Sequence, residues 1–79
     1  GVESDARTAI ELANQELRLH PREPDLYYQR SMALRLIRQF DLAKKDILTA
    51  MQLGGKQNLR NDLQAVELER KMAATYAVQ

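Results

Sequence analysis

A chain of 79 residues has room for one small domain that buries roughly 60% of its unfolded surface, and 44% apolar content suits a folded core. A net charge of +1 gives no field that would by itself draw nucleic acid or membrane, and the absence of cysteine excludes a disulfide framework and a thiolate metal site. No apolar run approaches the roughly 20 residues of a membrane span, and no signal-peptide pattern opens the chain. With three tyrosines, one phenylalanine and no tryptophan, the core must be built from Leu, Ile, Ala and Met. A reducing, cytoplasmic location is expected. The chain starts mid-pattern, which reads as a fragment of a longer protein.

Residues 3 to 19 form the first predicted helix, with Ala6, Ala9, Ile10, Ala13 and Leu17 as its apolar stripe. Glu3 and Arg7 stand one turn apart for an outer ion pair, and Ser4 or Asp5 supplies a capping oxygen. His20-Pro21 ends the helix, because the residue before proline is pushed out of the helical region. Pro24 opens a second helix over about 24 to 38, where its missing N–H has no partner to lose. Tyr27, Ser31, Leu34 and Ile37 share one face of it. A break around Arg38 to Phe40 leads to a third helix, 40 to 53, striped by Phe40, Ala43, Ile47 and Ala50. Small residues within both stripes (Ser31, Ala33, Ala43, Ala50) let two helices approach closely, which predicts a helical hairpin over 24–53. Gly54-Gly55 stops the third helix. A fourth, roughly 57 to 77, carries Leu59, Leu63 and Val66 on one side and Ala65, Leu68 and Met72 on another. Its Glu67, Glu69, Arg70 and Lys71 read as a solvated outer face, and the helix itself as the one that closes the core.

Residues with chemical potential are few. His20 is the only histidine and has no Cys or acidic cluster at ligand spacing, so it reads as a helix-end residue. Gly54-Gly55-Lys56 lacks the rest of a phosphate loop. Carboxylates mostly have a basic neighbour one turn away, as Asp41 has Lys45 and Glu67 has Lys71. No catalytic residue, metal site or cofactor is therefore expected, and the chain is not read as an enzyme. Arg30, Arg35 and Arg38, with Lys44, Lys45, Lys56 and Arg60 near in sequence, make a basic set without aromatic interleaving. A nucleic-acid role on that set is the weakest of the readings; a solvated helix surface is the plainer one. Tyr27 falls on the inward stripe as a core residue, whereas Tyr28 turns away from it beside Met32 and near Arg35 and Leu36. Aromatic, thioether and amide groups together suit peptide binding, and the competing reading has them packed on a neighbouring helix.

A step of 34 residues carries Ala9 to Ala43, Leu17 to Met51, Leu19 to Leu53, Pro21 to Gly55, Ser31 to Ala65 and Leu34 to Leu68. With Tyr27, Ser31, Leu34 and Phe40 followed by Ala43, Ile47 and Ala50, and with Ala9, Ala13 and Pro21 before them, the chain resembles the tetratricopeptide (TPR) family. It departs from the family pattern at Arg30 (Leu is favoured), Arg38 (Gly is usual) and Gly55 (Pro is usual). The resemblance implies an all-α fragment of a right-handed solenoid built from antiparallel hairpins. In it, 3–19 is the second helix of a preceding repeat, 24–53 a full repeat and 57–77 a closing helix, all in one domain spanning 1–79.

The run from Asp25 to Gly54, followed by Asn58 to Lys71, is most similar to the last repeat and closing helix of FKBP-type immunophilin co-chaperones. A parent of that kind would carry a separate peptidyl-prolyl isomerase domain. In TPR proteins the first helix of each repeat lines a concave groove, which here places Asp25, Tyr28, Gln29, Met32, Arg35 and Leu36 in a peptide-binding face. The carboxylate clamp many such proteins use on a heat-shock chaperone tail would put a Lys and an Arg at 25 and 29. Asp25 repels a carboxylate, Gln29 donates only a neutral bond, and Arg30 is rotated off the groove. The expectation is thus a non-catalytic protein-interaction module of a co-chaperone or scaffold with a degraded clamp. The alternative is an assembly segment that pairs with another copy or with further repeats, and self-association or marginal stability is expected of the isolated chain.

Overall fold

The computed structural model describes residues 1–55 and 58–78, with side chains described through Thr75. Four α-helices follow one another: α1 (Val2–Leu19), α2 (Pro24–Leu36), α3 (Phe40–Gln52) and α4 (Leu59–Val78). Each packs on the next, α1 on α2, α2 on α3 and α3 on α4, which gives a flat slab of 43 × 28 × 14 Å. The molecule is all-α and built from consecutive hairpins. Its core is Leu34 from α2, Ala43, Ile47 and Ala50 from α3, and Leu59 and Val66 from α4. Ala43, Ile47, Ala50 and Val66 keep no accessible surface, and burial of an Ile or Val side chain of this kind contributes roughly 1.5–3 kcal/mol. Ser31 enters the same interior because its hydroxyl donates to the Tyr28 carbonyl at 2.6 Å.

Two helix ends use one device. At the end of α2, Arg38 N–H donates to the Arg35 carbonyl at 3.0 Å and Gln39 N–H to the Leu34 carbonyl at 2.9 Å. At the end of α3, Gly54 N–H donates to Met51 at 3.1 Å and Gly55 N–H to Ala50 at 2.9 Å. These crossed pairs need one left-handed residue, which is Arg38 (φ 65°) in the first case and Gly54 (φ 82°) in the second. α2 therefore stops at Leu36, two residues before the expected 38. Gly55 is there for a different reason. A Cβ on it would meet Leu59 Cδ1 at 2.8 Å and the Ala50 carbonyl at 3.0 Å, and a proline would lose the bond to Ala50.

Other boundaries differ from the sequence reading in smaller ways. Gly1, with no side-chain cap, replaces Ser4 or Asp5 at the start of α1, since Asp5 N–H already donates to the Gly1 carbonyl within the helix. The start of the fourth helix at 57 and the Lys56 of the basic set lie outside the described residues. Pro24 does open α2, behind Glu23, whose carboxylate accepts from Asp25 N–H at 3.5 Å. Tyr27 is half-buried rather than fully inside, because its hydroxyl reaches out to the Pro21 carbonyl at 2.8 Å and pins the α1–α2 turn. Tyr28, expected to turn away, is half-buried as well and packs against the same core. Ala9 is exposed, at the edge of the face of α1 that buries Ala6, Ala13 and Leu17. Of the second α4 stripe, Ala65 is half-buried while Leu68 and Met72 stay exposed.

Candidate interaction surface

Two arginines of α2 set the electrostatics of the molecule, and they point to opposite sides. Arg30 places Nε on Asp46 Oδ2 and Nη2 on Asp46 Oδ1, both at 2.7 Å, while Nη1 donates to Asn14 Oδ1 at 2.9 Å. One side chain thus joins α1, α2 and α3. Its guanidinium carbon also sits 5.6 Å from the Tyr27 ring centroid, within cation–π range. The Asp46 side chain is 6% exposed and that of Arg30 25%, so the pair is largely desolvated. The hydrogen bond to Asp46 raises the Arg30 pKa above its ordinary value, against the opposing effect of burial. The bland reading of Arg30 as solvated surface is corrected accordingly. A signal existed: Arg30 and Asp46 are opposite charges set inside two facing apolar stripes.

Arg35 turns towards α4. Its Nε and Nη2 grip Glu69 at 2.9 and 3.0 Å, and Nη1 stands 3.6 Å from Asp62. The bond to Glu69 raises its pKa in turn. Arg35 was expected to offer a free charge in a groove, but its charge is compensated within the chain. The same holds for Lys44, paired with Glu67 across α3 and α4. Glu67 also lies 3.8 Å from Arg70, which stands 3.6 Å from Asp41. The pairs expected within single helices, Asp41–Lys45 and Glu67–Lys71, give way to these cross-helix contacts. Glu67 and Glu69 are half-buried joints rather than part of a solvated outer face. Of the basic set, Arg30, Arg35 and Lys44 thus have their charge compensated within the chain. Glu3–Arg7 forms as expected, at 3.0 Å.

Around the Arg35–Glu69 pair runs a shallow furrow between α2 and α4. Met32, Arg35, Leu36 and Glu69 line one part of it. Arg35, Arg38, Phe40, Glu69, Met72 and Ala73 line the other. Met32 is 47%, Leu36 60% and Met72 49% exposed, so three large apolar side chains surround a charge-neutral centre. Of the six predicted groove residues, the furrow gathers Met32, Arg35 and Leu36. Asp25 and Gln29 lie exposed on α2 outside both parts, and Tyr28 is turned into the core. Met72 was read on the second stripe of α4, but its meeting with Met32 and Leu36, and the part of Ala73, went unread because helix-to-helix distance has no trace in local spacing. No group of three or more His, Cys, Asp or Glu side chains fit to hold a metal occurs among the described residues. No helix among them is long and apolar enough to cross a membrane. Comparison with protein-family models, curated proteins and solved structures finds no match to this chain.

Proposed function

We propose that the chain is a non-catalytic protein-interaction module of TPR type that takes an apolar peptide or helix segment in the α2–α4 furrow. The observation that carries this reading is the exposure of Met32, Leu36 and Met72 around the Arg35–Glu69 pair. Thioethers adapt to differently shaped apolar partners, and a neutralised arginine offers orientation without strong attraction for acidic tails. The resemblance to immunophilin co-chaperones adds the setting of a co-chaperone or scaffold. Within that setting Asp25 and Gln29 argue against chaperone tails held by a carboxylate clamp.

Peptides selected from a display library on the intact chain test this. The enriched sequences should be apolar and lose at least tenfold in affinity against M32E and M72E, both at exposed positions. A peptide ending in consecutive acidic residues should bind weakly. Enriched peptides that bind both variants as well as the native chain would overturn the proposal.

A further inference from the structure

On the Arg30 side of α2, α1, α2 and α3 together wall a cavity of about 510 Å³. It shares no residue with either part of the furrow. Ile10 of α1, Tyr27 and Leu34 of α2 and Leu42 of α3 supply its apolar lining. Leu42 is 52% exposed although large and apolar, so a ligand here would take further apolar surface out of water. Apolar walls with a few converging polar groups, at this volume, are the build of a small-molecule site between helices.

The polar lining decides the charge of that ligand. Arg30 and Asp46 both face the cavity, but both Asp46 oxygens already accept from Arg30 at 2.7 Å. Asn14 Oδ1 takes a third N–H of Arg30 at 2.9 Å, which leaves two of the five guanidinium donors and the Asn14 amide N–H groups to spare. Lys45 carries the cavity's uncompensated charge. Asp41, one turn before it, stands 3.6 Å from Arg70 instead, and no ion pair engages Lys45 among the described residues. The lining therefore offers spare donors and one net positive charge beside a buried carboxylate. A cation would meet Lys45, and a dianion such as a phosphate monoester would bring a second charge against Asp46 with no cation to match it. We propose that the cavity binds a small amphipathic monocarboxylate. Its aliphatic body lies against Ile10, Leu34 and Leu42, and its carboxylate is held by Lys45 and the spare N–H groups of Arg30 and Asn14.

Octanoate, octanol and octylamine carry one aliphatic body under a negative, a neutral and a positive head, and serve as probes on the full chain. Octanoate should shift the methyl resonances of Ile10 and Leu42 and leave those of Met32 and Met72 unmoved. It should bind about tenfold more tightly than octanol, as a hydrogen bond to a charged group does, and octylamine should bind least. K45Q should bring octanoate down to the affinity of octanol, K45R should keep the preference, and L42S should weaken both probes. Lys45 and Leu42 are exposed, so the variants should show native melting by circular dichroism. The comparison of the three probes on the native chain stands independently of any variant. Equal affinity of octanoate and octanol for the native chain, no saturable binding of octanoate, or shifts centred on Met32 and Met72 would overturn the proposal. So would a preference for octanoate that survives K45Q.

Discussion

Arg30 shows how one residue changes the character of a helix contact. An apolar side chain at this position would pack on α3 without regard to charge, whereas Arg30 needs Asp46 and Asn14 in fixed places. The two ends of the pair are unequal. Removing the cation strands a carboxylate that is 6% exposed, while removing the carboxylate leaves a guanidinium with 25% of its side chain in water and a long stem to move it. R30M should therefore destabilise by about 3 kcal/mol, the low end for breaking a buried pair. D46A should cost less, about 1–2 kcal/mol, as an unsatisfied polar group does. The double variant R30M/D46L should return to within about 1 kcal/mol of the native chain, because matched apolar residues replace a buried pair at little cost. Urea unfolding of the three variants decides; equal losses in the two single variants would show that the pair is effectively solvated. The pairing itself was not legible beforehand, since the partners are 16 residues apart and belong to different helices. What the sequence does carry is the anomaly of a charge within an apolar stripe.

Periodic elements were far more legible than single contacts. Ser31, Leu34, Ala43, Ile47 and Ala50 are buried as their spacing predicts, because a helix facing one neighbour must repeat its apolar face every three or four residues. α1 and α4 were read less well. Each has a neighbour on one side only, so apolar spacing overstates what is covered, as exposed Ala9 and Leu68 show. Helix ends depended on turn chemistry. Gly54 announced the end of α3, whereas Arg38 hid the same left-handed turn behind a residue that disfavours it. A left-handed conformation costs a residue with a Cβ roughly 1–2 kcal/mol, and glycine gives part of that back through its freer unfolded chain. R38G should accordingly raise stability by about 0.5–1 kcal/mol, visible as a higher urea midpoint at unchanged slope. A lower midpoint would mean that the Arg38 side chain supports the furrow in a way its exposure conceals.

Over the whole molecule the helices form a row, and the last member is joined by charge as well as burial. Leu59 and Val66 bury the inner face of α4, while Arg35–Glu69, Lys44–Glu67 and Arg70–Asp41 fasten its flanks. Those flanking pairs replaced the single-helix pairs read from sequence because packing brought closer partners than one turn of helix provides. The hydrogen bond from Lys44, helped by the charges of Arg70 and Lys71, holds the Glu67 carboxyl below its usual range. A carboxyl whose pKa is lower in the folded chain contributes stability above its unfolded value, about 4.3, and that contribution is lost as pH falls through the lower folded value. E67Q removes the charge at every pH. It should therefore melt below the native chain near pH 7, and the two should converge as acid protonates native Glu67 below its unfolded value. High salt should narrow the gap at neutral pH, since both partners stay partly in water, 42% for Lys44 and 29% for Glu67. Thermal unfolding followed by circular dichroism across that range measures it. A gap that persists unchanged into acid would assign the loss to packing of the side chain, and α4 would then be seated by Leu59 and Val66 without electrostatic help from Lys44.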